Sequence, residues 1–211
     1  MTLAVVYDVN KSRVACSSEG GKKSAKFTHM ADSASLESIL IDAFGRIREL
    51  VVELTDGLSD ELGAYRPDEG SNSIAWLIWH LSRVQDDHVA GLAGVEQAWP
   101  SWRDQFGLPF DEWATGYGQS SAEVVAVRVS SELLAGYHAA VHELTLAYLE
   151  GITAEELARV VDTRWDPPVT AAVRLVSVLS DALQHLGQAG YAQGLAERHN
   201  QPWRDSAAAD R

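Results

Sequence analysis

The chain has 211 residues, 46% apolar and 22% charged, which is ample material for one buried core. Carboxylates outnumber cations by 30 to 17 and the net charge is −13, which argues against a nucleic-acid role carried by phosphate neutralisation. No uninterrupted apolar run approaches the length of a membrane span.

The first residues, MTLAVVYDVNKSRVACSSEGG, lack a leading basic cluster and hold only a short apolar patch broken by Asp8, so they make a poor secretory signal and a cytoplasmic location is expected. The single cysteine, Cys16, rules out an internal disulfide framework and any multi-cysteine metal site. All four lysines (Lys11, Lys22, Lys23 and Lys26) lie before Met30, and beyond it the cations are all arginine. This contrast suggests that residues 1–29 are a non-native or disordered extension and that the native domain starts at Met30. Residues 30–197 would form one bundle, and 198–211 a polar tail.

Four long helices are expected. The first runs from about Ser35 to Thr55, with Leu36, Ile39, Leu40, Ala43, Ile47, Leu50, Val51 and Leu54 at the spacing of one apolar face, Ser33 or Ser35 as N-cap, and Asp56-Gly57 as its stop. The second runs from about Ser73 to Ala93 on Ile74, Leu77, Ile78, Leu81, Val84 and Val89, and Gly91 and Gly94 weaken and end it. Residues 95–120 then form a long connection carrying Trp99, Trp102, Trp113, Phe106, Phe110 and Tyr117. A segment this aromatic is expected to be ordered and to cover or shape a site. The third helix is expected as one piece from about Ser121 to Glu150, with Val127, Leu134, Tyr137, Val141, Leu144 and Tyr148 inward and Gly151 after its end. A single turn at Ala154–Ala158 and an extended piece ending at Pro167-Pro168 lead into the last helix, from about Thr170 to Glu197. The fold class is therefore all-α: a four-helix bundle with a long aromatic-rich crossover between its second and third helices.

The last helix is apolar around most of its girth, yet Arg174, Ser177, Asp181, His185 and Gln188 form one narrow polar stripe along it. Burying a carboxylate without a partner is costly, so Asp181 should meet a cation, a proton or a metal. Asp181 and His185 are four residues apart and can present two ligands to one point between helices. An internal hydrogen-bond network around a satisfied histidine fits the same spacing. His80, within WLIWHL on the second helix, reads on its own as a core histidine bonded to a backbone carbonyl. His138 and His142 on the third helix read as boundary or surface residues flanking the core stripe, and the charges of SRVQDDH, Asp86 above all, as a solvated face.

Three blocks carry a family resemblance: YRPDEGSNSIAWLIWHLSRVQDDHVAGLAG, LPFDEWATGYGQSSAEVVAVR and DALQHLGQAGYAQGL. Taken in order, they resemble the DinB-like superfamily of YfiT-type bundles over Leu36–Leu195. The resemblance implies a four-helix bundle with a long crossover that binds a divalent metal, zinc or nickel, through a histidine on the second helix and a histidine pair on the last. Carried to this chain, those positions are His80, Asp181 and His185. Asp181 stands where histidine is usual, which opens iron or manganese as alternatives.

Several relatives are thiol-dependent enzymes, among them transferases that use mycothiol or bacillithiol and a maleylpyruvate isomerase. The resemblance therefore implies a metal-dependent enzyme that brings an external low-molecular-weight thiol to a small electrophile. Asp87 and His88 would serve as catalytic groups, and Arg83, Trp102, Trp113, Tyr117, Arg174 and Gln188 would line the substrate site. A metal-free, non-catalytic bundle that binds a small ligand or dimerises is the alternative, with Asp181 then paired to Arg174. A metal-dependent hydrolase using Asp87 or His88 as base ranks third. The expected partners are a small-molecule substrate and a second copy of the chain, with no nucleic acid and no membrane.

Overall fold

In the computed structural model the backbone is described for residues 25–200 and the side chains for residues 36–198. Eight helices and one short hairpin follow in order within these residues: α1 (Ala25–Thr55), α2 (Asp60–Gly63), α3 (Ile74–Ala93), α4 (Arg103–Phe106), α5 (Ser121–Ala126), α6 (Ser131–Leu149), α7 (Ala154–Ala158), β1 (Val160–Asp162), β2 (Val169–Thr170) and α8 (Ala171–Asn200). Four of them make the bundle. α3 packs on α6 and α8, and α1 packs on the same two. Phe44, Ile47 and Val51 from α1, Leu77, Ile78 and Trp79 from α3, Leu134, Tyr137 and Val141 from α6, and Leu175, Val178 and Ala182 from α8 meet in the core, where each fully buried side chain contributes roughly 1.5–3 kcal/mol.

The ends of α3 follow from its sequence. The Ser73 hydroxyl accepts from the Trp76 amide at 3.2 Å, and Gly94 stops the helix in the left-handed conformation at φ 68°. α1 begins at Ala25, ahead of the expected start, so Ser33 and Ser35 lie within it rather than at its cap. Residues 1–24 and 201–211 lie outside the described residues, and with them most of the proposed extension, Cys16 and most of the tail.

The expected third helix is two helices. α5 ends at Ala126, and α6 restarts at Ser131 behind Ser130, whose hydroxyl accepts from the Leu133 amide at 3.4 Å. The interruption falls in Val127-Arg128-Val129, where β-branched residues weaken helical preference, and the new N-cap lets Val127 and Val129 reach the core from a non-helical backbone. The residues expected to be a loop before α8 include an antiparallel pair, with Val160 opposite Thr170 and Asp162 opposite Val169.

The crossover is ordered by its rings. Trp99 lies 5.2 Å from both Phe106 and Tyr137, centroid to centroid, and Trp79 lies 5.5 Å from Phe110. Trp102 covers Gly136 on α6, where an added Cβ would stand 2.7 Å from its ring.

Candidate metal centre

His80 on α3 and Asp181 and His185 on α8 converge between the two helices. Each can offer one ligand atom such that the three atoms lie within 4.8 Å of one another. The approach follows from the helical repeat: Asp181 and His185, one turn apart, share the face of α8 that packs against α3. The His80 and His185 ring centroids are 4.8 Å apart, and His185 Nε2 lies 3.4 Å from Asp181 Oδ1.

Hydrogen bonds assign the ring nitrogens. His80 Nδ1 lies 2.5 Å from the Thr115 carbonyl oxygen. A carbonyl can only accept, so Nδ1 carries the proton and the lone pair stays on Nε2. His185 Nδ1 lies 3.0 Å from Gln188 Oε1, which in the same way leaves its Nε2 to face Asp181. Both imidazoles are thus held by an outer partner with Nε2 available, the arrangement usual for metal-ligating histidines. Asp181 Oδ2 is buried with no hydrogen-bond partner, an unsatisfied carboxylate oxygen of the kind a cation satisfies.

Electrostatics favour the neutral ring for His80, whereas without an ion His185 is drawn toward its protonated form by Asp181. Burial lowers the pKa of His80, with the Thr115 bond opposing it. Burial works against ionised Asp181 and protonated His185 alike, yet their mutual attraction prevails, lowering the first and raising the second. Two neutral-capable imidazoles and one carboxylate suit zinc, nickel, iron or manganese.

The site opens into a cleft of about 600 Å³ lined by His80, Val84, Asp87, His88, Thr115, Tyr117, Arg164, Ser177 and Asp181. Asp87 and His88 thus face the same space as two of the three converging residues, with His88 Nδ1 3.4 Å from Asp87 Oδ2. Burial, followed by the charge of Arg174, lowers the His88 pKa and favours the neutral, proton-accepting ring.

Other expected site residues lie elsewhere. Arg83 is fully buried beneath the crossover and not at a mouth, because its guanidinium is drawn inward by Asp86, Tyr137, Gln97 and the Ala114 carbonyl. Trp102 packs on Tyr137 with ring centroids 6.2 Å apart, and Trp113 stands 60% exposed; neither lines the cleft. Tyr117 does, at its rim. Arg174 faces Asp162 at 3.5 Å and not Asp181, because Asp162 on β1 lies closer to that turn of α8. Gln188 orients His185 and lines a neighbouring cavity.

Two expectations about buried polarity are corrected. Asp86 is fully buried and not solvated, held by Arg83 and by the Ala98 and Trp99 amides at 2.9 and 2.8 Å. His138 is likewise fully buried rather than at the boundary, while His142 is half-buried. α6 buries Leu134, His138, Val141, Thr145 and Leu149 alongside Tyr137, a helical period that contains His138.

Sequence reasoning missed Thr115, Gly116, Arg164 and Asp162. The only signal for the first two was the glycine-rich stretch ATGYG within the crossover. Gly116 has φ 96°, and a Cβ there would stand 2.7 Å from His80 Nδ1 and 3.0 Å from both Trp76 and Trp79. Gly116→Ala combines a strained backbone with a clash against the ring of His80, and we expect it to cost about 1–3 kcal/mol of stability. A urea unfolding midpoint equal to that of the parent would refute this.

A family model for the DinB superfamily matches residues 43–189. The crystal structure of a conserved protein from Enterococcus faecalis is similar at 31% identity with a TM-score of 0.71, covering 76% of this chain and 96% of that one. No curated protein matches the chain. Among the described residues, no helix is long and apolar enough to cross a membrane.

Proposed function

The chain belongs to the DinB superfamily, and on that footing we propose that it is a divalent-metal-dependent enzyme that brings a low-molecular-weight thiol, of the mycothiol or bacillithiol type, to a small electrophile. His80 Nε2, His185 Nε2 and Asp181 would hold the ion. The observation that carries this reading is the buried, unpartnered Asp181 Oδ2 beside two histidines whose Nδ1 atoms are both engaged outside the site. A divalent ion held there supplies a Lewis acid that favours the thiolate form of a thiol.

The remaining roles belong to the chain. Three protein ligands leave room for a substrate, and the cleft of about 600 Å³ is of a size to admit a small molecule. The Asp87–His88 pair accepts the S–H proton as sulfur bonds to the electrophilic carbon. That proton is then passed to the displaced group or, in an addition, to the adjoining carbon. Tyr117 at the rim and Arg164 on the hairpin bound the entrance and orient the substrate.

A metal-free bundle has one observation in its favour, the 3.4 Å approach of His185 Nε2 to Asp181 Oδ1, which a protonated His185 would complete. It leaves Asp181 Oδ2 buried and unsatisfied, so the metal reading is preferred.

Protein purified without added metal is expected to carry about one zinc, nickel, iron or manganese ion per chain. His80→Ala and His185→Ala should each lose most of it, since each removes one of only three protein ligands. Elemental analysis decides; equal metal content in parent and variants removes the site. A conjugation screen with mycothiol-, bacillithiol- and glutathione-type donors then tests the thiol chemistry.

A further inference from the structure

The buried guanidinium of Arg83 has no place in the cleft and yet holds one of its walls. Nε donates to the Ala114 carbonyl at 3.0 Å. Nη1 donates to Tyr137 Oη at 3.0 Å and Gln97 Oε1 at 2.9 Å, and lies 3.4 Å from Asp86 Oδ2. The guanidinium carbon sits 4.8 Å from the centre of the Trp99 ring. Filling this space with an apolar side chain would avoid the desolvation of a charge. What an arginine adds is a rigid fork of donors.

We propose that Arg83 is a positioning residue for the candidate metal centre: it clamps the strap 114–116 against α3 and thereby fixes the tautomer and direction of His80. The inference rests on the proposed function only in supposing that His80 ligates an ion. The chain of contacts is short. His80 and Arg83 are three residues apart and rise from neighbouring positions on one face of α3. Their two acceptors, the Thr115 and Ala114 carbonyls, are consecutive on the strap that crosses above them. Gly116, the next residue, lies so close to the His80, Trp76 and Trp79 rings that no side chain fits between. With Ala114 held by a rigid donor, the Thr115 carbonyl stays on His80 Nδ1 and Nε2 keeps the lone pair turned toward Asp181 and His185.

The same clamp reaches the cleft by a second route. Arginine only donates, so Gln97 must present Oε1 to Arg83. Its Nε2 then donates to Asp87 Oδ1 at 2.9 Å and fixes the side chain proposed to receive the thiol proton.

The test is the tautomer of His80 in metal-free protein, read from long-range ¹⁵N–¹H spectra of imidazole-labelled samples, with Co²⁺ titration of the same samples by visible absorption. The parent is expected to show His80 as the Nδ1–H form. Arg83→Lys, which keeps the charge but loses the fork, is expected to show a mixture of tautomers. Its Co²⁺ affinity should be roughly ten- to a hundredfold weaker, the usual scale for an outer-shell partner. An Nε2–H tautomer in the parent overturns the inference, as does a pure Nδ1–H form in Arg83→Lys. Should Arg83→Lys not fold, the pair Arg83→Met with Asp86→Leu removes both buried charges together and is read the same way. A parent that binds no Co²⁺, yet changes tautomer between parent and variant, removes the metal reading and leaves the positioning role standing.

Discussion

Asp86→Ala is expected to lower the unfolding free energy by about 3–5 kcal/mol, the scale for breaking a buried ion pair from one side. The Asp86 carboxylate accepts from Tyr137 Oη at 2.8 Å and from the Ala98 and Trp99 amides at 2.9 and 2.8 Å, and it faces Arg83 at 3.4 Å. Alanine leaves a fully buried guanidinium without its counter-charge and frees the start of the crossover from α3. The pair itself is expected to be no net gain over an apolar one, since desolvating two charges offsets their attraction. Burial raises the Asp86 pKa, and its bonds to Ala98, Tyr137 and Trp99 and the charge of Arg83 pull back only part of that rise. The double replacement Arg83→Met with Asp86→Leu is therefore expected to cost less than Asp86→Ala alone. Urea denaturation of the parent, Arg83→Met, Asp86→Leu and the double variant closes the cycle, with Asp86→Ala measured beside it. A loss below about 1 kcal/mol for Asp86→Ala would mean that water reaches Arg83 and that the network does not carry the crossover.

Long periodic stretches were legible in the sequence and local interruptions were not. α3 and α8 each hold an apolar repeat over five or more turns, so their existence and the polar stripe of α8 could be read directly. The break between α5 and α6 could not, because Val127 and Leu134, seven residues apart, keep a spacing that one continuous helix would also satisfy. The cap at Ser130 and the burial of Val129, two residues from Val127 and off its helical face, separate the two. The convergence of His80 with Asp181 and His185 depends on how α3 meets α8, a tertiary contact that no single helix encodes. It entered by family resemblance. The Thr115 carbonyl was invisible for a different reason: a backbone acceptor has no side-chain signature. Arg83, Asp86 and His138 were misplaced by one habit, reading a polar residue as a surface one. Their spacing was the better guide, since Ser82, Arg83, Asp86 and Ala90 follow the buried face of α3, and Leu134, His138, Val141 and Thr145 that of α6.

His138 should make the fold acid-sensitive between neutral pH and pH 5. Its ring is fully buried and neither nitrogen has a hydrogen-bond partner. Burial, then the charges of Arg48 and His142, push its pKa from 6.5 down to about 3. The unfolded chain takes up a proton below pH 6.5, and the folded one does not until near pH 3, so the stability present above pH 6.5 is lost as pH falls across that interval. At pH 5 the gap of about 1.5 units below the unfolded value amounts to roughly 2 kcal/mol. Burial also lowers His80, His88 and His142, and these add to the same trend, while the raised pKa of His185 opposes it. The contribution of His138 is therefore isolated by difference. His138→Leu keeps an apolar ring-sized volume, removes two unsatisfied nitrogens and cannot titrate. Between pH 7 and pH 5 it is expected to lose about 2 kcal/mol less than the parent in urea unfolding. Parallel stability curves for the two proteins would show that His138 is protonated, or reached by water, in the folded state.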